Sequence, residues 1–93
     1  MDEQKIIDDL TSQGYDKVWP YEAEPGEVDE EHEHDFDTHL VVLRGQISIT
    51  SLIDGVVTNM SHSTGSNIFI ARNTPHAAKV SAEGCRYIVA EKH

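Results

Sequence analysis

Apolar and polar positions change rhythm along this chain, and each change predicts a new element. Between Asp2 and Gln13, Ile6, Ile7 and Leu10 recur at three- and four-residue spacing, with acids early and Gly14 as a stop. That rhythm predicts a short amphipathic helix. Its apolar edge is narrow, so it reads as a lid packed on the rest of the chain or on a partner. From Tyr15 the pattern becomes extended. Val18, Trp19 and Tyr21 suggest a strand, Pro20 within it belongs on an edge or at a bulge, and Pro25-Gly26 supplies a turn.

The clearest local structure lies between Leu40 and Met60. Leu40 to Leu43 is an unbroken apolar run that predicts a buried strand, Gly45 permits a bend, and Ile47 and Ile49 alternate with Gln46, Ser48 and Thr50. Asp54-Gly55 between Leu52-Ile53 and Val56-Val57 predicts a hairpin, because both residues tolerate the positive φ of a primed turn. Short strands are expected over Asn67 to Ala71, Ala77 to Ser81 and, after a Glu83-Gly84 turn, Arg86 to Ala90. Six to eight short strands make an all-β chain, a small antiparallel barrel or sandwich with a short N-terminal helix.

Ninety-three residues support one modest core, divided as a helix over 1–14 and a barrel over 15–93 within one domain. Seventeen acidic against seven basic residues give a charge of −10, which excludes nucleic acid and an anionic membrane as natural partners. A cation or a neutral small molecule suits this charge. The lone Cys85 forms no internal disulfide, no secretory leader pattern is present, and the longest apolar run is far short of the about 20 residues of a spanning helix. The expected location is cytoplasmic.

The remaining signal is histidine: His32, His34 and His39 in the acidic stretch "EVDEEHEHDFDTH", and His76 inside "NTPH". Residues two apart on an extended chain share a face, so His32 and His34 can reach one ion. His76 follows the rigid Thr74-Pro75 turn and is the natural third ligand. His39 is the candidate fourth, but parity counted from His34 turns Thr38 inward unless a bulge in "DFDT" reverses the faces. The surrounding acids, Asp29, Glu30, Glu31, Glu33, Asp35 and Asp37, read as a solvated run. His62 and His93 read as exposed, Arg44 as exposed, and Cys85 as an inert buried thiol. Trp19, Tyr21, Phe36, Phe69 and Tyr87 read as packing residues.

These positions resemble the cupins, the small jelly-roll, double-stranded β-helix barrels. The first motif of that family runs Gly, five residues, His-x-His, three or four residues, Glu, six residues, Gly. Gly26, His32, His34 and Gly45 fall in register with it, while Thr38 stands at the place counted for Glu, with His39 beside it. The second motif places a Gly, a Pro-x-Gly, a His and an Asn, and Gly65, Ala71, Asn73, His76 and Val80 occupy those spacings. The resemblance implies one divalent transition metal, Fe, Mn, Ni or Zn, bound by His32, His34 and His76 with His39 as the open fourth. It also implies dioxygenase, isomerase or lyase chemistry on a small metabolite. A non-catalytic metal or ligand sensor, and a structural histidine network, are the other readings. No general acid or base is identifiable from the sequence. A homodimer pairing its early edge strand is expected.

Overall fold

The first rhythm does form a helix. In the computed structural model, which describes residues 2–93, α1 spans Glu3–Ser12. Asp2 caps it by accepting from the Lys5 backbone N–H at 3.1 Å. Leu10 is buried with Val41, Ile88 and Ala90, and Ile6 and Ile7 pack alongside, so the narrow stripe is a lid on the chain's own sheet.

Six strands follow: β1 Lys17–Ala23, β2 Val28–His32, β3 Asp37–Ile53, β4 Val56–His62, β5 Asn67–Ile70 and β6 His76–Lys92. The 17-residue strands β3 and β6 are the frame and pair antiparallel from Asp37↔Lys92 to Ser51↔His76. One half of this pair is flanked by β1 on β6 and by β5 on β3. The other half is flanked by β2 on β6 and by β4 on β3. Two four-strand layers thus share two bent strands, the small antiparallel jelly-roll that the alternation predicts.

The bend is built from glycine. Gly45 (φ +84°) lies against Gly84 (φ +82°), and a Cβ on Gly45 would collide with the Gly84 carbonyl. Register shifts flank Gly45, where the chain changes layer. The two strands expected between Ala77 and Ala90 are therefore one, because Gly84 bends together with Gly45 and pairing resumes on either side of the bend. Between the layers lies the core of Leu40, Val42, Ile47, Ile49, Ile68, Ile70, Val80, Cys85 and Tyr87. Asp54 (φ +51°) and Gly55 (φ +78°) form the hairpin turn as expected, and Pro20 sits in β1 at the end of the strand order. Among the described residues no helix is long and apolar enough to cross a membrane.

Candidate metal centre

His32 and His76 meet because they are register partners of β2 and β6. His34 follows two residues after His32, and its carbonyl accepts from the Asn73 N–H at 2.6 Å, which ties the turn before His76 to the segment carrying His34. Asn73 holds φ +61°, a left-handed angle that Asn tolerates, and Arg72 reinforces the tie through its N–H on Asp37 Oδ1 at 2.9 Å. The three rings lie with centroids 4.3 to 5.3 Å apart, and one nitrogen from each falls within 4.8 Å of the others.

Hydrogen bonds fix which nitrogens are free. His32 Nδ1 lies 2.6 Å from the Glu30 carbonyl and His76 Nδ1 lies 2.8 Å from the Thr74 carbonyl. A carbonyl only accepts, so each Nδ1 donates and the Nε2 of a neutral ring keeps its lone pair. Burial, then the neighbouring His32 and His76, hold His34 below the ordinary imidazole range, partly offset by Glu91 and Asp35. Its ring stacks on Phe36 at 4.6 Å. A neutral imidazole is the form that binds a metal. The donor set fits a first-row divalent ion: three imidazoles, two of them with an outer carbonyl partner.

Beneath the triad lies a cavity of about 140 Å³, walled by Leu40, Ile47, Ile49, Ile70 and Val89, with Asp29, Thr38, Tyr87 and Glu91 as its polar or amphipathic members. Thr38 and Glu91 are register partners, so the carboxylate lies one strand over from the threonine. The Glu91 side chain is 18% exposed, and Oε1 accepts from His93 Nε2 at 2.9 Å. Burial pushes the Tyr87 phenol up, which keeps it a neutral donor. Sequence reasoning missed Glu91, because only the pairing of β6 with β3 places it beside Thr38.

His39 is placed elsewhere. The chain bends at Asp35 and Phe36 and is strand again only from Asp37; within that strand Thr38 faces the cavity while His39 turns beneath α1. There His39 Nε2 lies 2.8 Å from Asn67 Oδ1, the ring packs against Phe69 and Tyr15, and Nδ1 is buried without a partner. A second cavity of about 290 Å³ adjoins it, lined by Ile6, Leu10 and Asn67. His62 ends β4 half-buried and outside the triad. His93 is also outside the triad but orders the chain end, its N–H donating to Asp16 and its ring lying 4.2 Å from Phe36. Of the aromatics read as packing residues Tyr87 is buried, whereas Trp19 and Tyr21 are each 38% exposed and Phe69, which lies against the His39 ring, is 70% exposed.

No protein-family model and no curated protein matches the sequence. Solved structures do match: Bacillus subtilis oxalate decarboxylase, in a study of its Mn(II) centres, aligns at 17% identity and a TM-score of 0.75. The same enzyme at pH 4.6 gives the same values, and a mutant of it gives a TM-score of 0.76. Each alignment covers 81% of this chain and 20% of the other, so this chain spans about a fifth of their length.

Proposed function

We propose that this chain, whose barrel shares the fold of the aligned cupin-type structures, binds one divalent transition-metal ion through His32, His34 and His76 and acts on a small oxygenated metabolite. The observation that carries this reading is the convergence of a nitrogen from each of three rings within 4.8 Å, with Nδ1 of His32 and of His76 held by a backbone carbonyl. Imidazole donors suit Fe, Ni and Zn; the Mn(II) of the aligned enzyme belongs to that enzyme, and Mn is the fourth candidate here. When bound, such an ion supplies Lewis-acid polarisation or activation of a coordinated oxygen.

The chain's own residues set what reaches it. A cavity of about 140 Å³ is well below the about 300–1,000 Å³ of a drug-sized site, so the substrate has only a few heavy atoms. Its floor is apolar, Tyr87 offers a neutral donor, and the Glu91 carboxylate is the group assigned to accept or return a substrate proton. We assign the working unit as a homodimer.

Elemental analysis of untagged protein purified without chelators tests the reading. About one equivalent per chain in the wild type, lost in His76→Ala and in His34→Ala but kept in His62→Ala, is the expected result. A wild type that takes up no Fe, Mn, Ni or Zn, or an ion lost only with His62, overturns it. Turnover of small oxygenated acids under air and under nitrogen then separates oxygen-dependent chemistry from proton-transfer chemistry. Metal without turnover points to a sensor or storage barrel.

A further inference from the structure

The four outer strands of the two layers are guarded unequally. β1 carries Pro20, Lys17 and Glu22; β2 carries Asp29, Glu30 and Glu31; β5 has only four residues. Proline, charge and shortness are the usual protections of a free edge. β4, Val56–His62, has none of them: seven residues paired to β3 on one side only, without proline or any Asp, Glu, Lys or Arg.

Its side chains are equally unguarded. Val56, Val57 and Met60 are 59 to 67% exposed, and Ile53, the β3 partner of Val56, is 53% exposed. Register places Met60 beside Ile49, on the face that lines the metal-site cavity. Charge narrows the choice of occupant. From Gly45 to Ala71 the only Asp, Glu, Lys or Arg is Asp54, although the chain as a whole carries −10. Two copies approaching through most other faces bring acid against acid; through this hairpin they do not.

We propose that β4 is the dimer interface: a second copy of the chain pairs its own β4 antiparallel across a two-fold axis, closing both free edges at once and extending one layer through both protomers. The proposal rests on the homodimer reading and gives it a surface. It moves the contact from the early edge strand, β1, to the hairpin. Isologous pairing of one strand with itself is self-complementary, which is what a two-fold contact requires. It also covers Met60.

Sedimentation equilibrium on wild type, Val57→Lys and Trp19→Lys tests this. Val57 is 67% exposed, so its lysine leaves the core untouched, yet the two-fold places two cations in one interface. The dimer dissociation constant is expected to rise about 100-fold or more for Val57→Lys, with the metal content and circular dichroism of wild type, and to stay within a few-fold for Trp19→Lys. Hydrogen exchange on wild type gives a check independent of any variant: amides of 56–62 gain protection as concentration rises through the dissociation constant. A wild type that is monomeric throughout overturns the homodimer reading itself. A dimer indifferent to Val57→Lys but broken by Trp19→Lys, or one whose added protection falls on 17–23, overturns the β4 surface alone.

Discussion

His76 and His39 are buried to the same degree, each 6% exposed, on two sides of one small barrel, yet they are set up for opposite ends. His76 gives its Nδ1 hydrogen to a backbone carbonyl and faces two further imidazoles across the inner cavity. His39 uses Nε2 on the Asn67 side chain, packs between Tyr15 and Phe69, and leaves Nδ1 without a partner under the helix. Burial of an imidazole does not make a ligand. Convergence does, and it depends on the His32↔His76 register and on which way the strand's alternation turns the ring.

The largest expected effect separates the two rings directly. His76→Ala is expected to weaken metal binding by more than about 100-fold, beyond the 10–100-fold typical of losing an outer partner, while His39→Ala keeps one equivalent per chain. Metal analysis after dialysis reads both. Loss of metal in His39→Ala with retention in His76→Ala would reverse the assignment of the two faces.

Stability should rank them the other way. His39 is wedged among Tyr15, Asn67 and Phe69, so truncation is expected to lower unfolding free energy by about 2–4 kcal/mol. His76 borders an existing cavity, and its truncation in metal-free protein should cost less. Urea unfolding of both apo variants measures the difference, and equal losses would deny that the outer ring is the structural one.

Proton binding sharpens the same contrast. His34 is held below the ordinary imidazole value of about 6.5, so the folded form takes up fewer protons than the unfolded chain as acid is added. Its contribution is neutral above about pH 6.5 and becomes unfavourable as pH falls through and below that value toward the lowered folded pKa. Apo stability is therefore expected to drop between pH 7 and 5, and His34→Gln should flatten that drop. Metal retention should fall over the same window, since protons compete for the ring. Identical pH profiles for wild type and His34→Gln would remove His34 from the triad's proton balance.

Much of this was legible in the sequence, and the reason is periodicity. The apolar run Leu40 to Leu43, the alternation at Ile47 and Ile49, the Asp54-Gly55 turn and the three-four spacing of Ile6, Ile7 and Leu10 are local signals, and each lies in the element it predicts. Parity counted from His34 turns Thr38 inward, as the structure does, but the chain bends at Asp35 and Phe36 between them, so strand alternation alone does not carry the agreement. What stayed hidden is long-range. Glu91 has no local signature; it becomes a cavity residue only because Thr38↔Glu91 is a register pair. The exposure of Phe69 and the bareness of β4 likewise depend on which strands flank β3, and no short window of sequence encodes that.

The smallest effect concerns the acids around the triad. Glu30, Glu31 and Glu33 are exposed, and the one contact to a triad ring, His32 Nδ1 on Glu30, uses the backbone carbonyl, which Gln retains. Replacing all three by Gln removes three negative charges from the mouth of the site without removing a donor. At low salt the ion loses long-range attraction, so affinity should fall by less than about tenfold; near 0.15 M, where the screening length is about 8 Å, most of that loss should vanish. The His76→Ala deficit, being the loss of a bond at contact, should persist unchanged at both salt concentrations. Titration of metal into the triple variant at two ionic strengths decides it. A loss that survives salt would make one of these carboxylates a direct ligand, and the solvated run would then belong to the site.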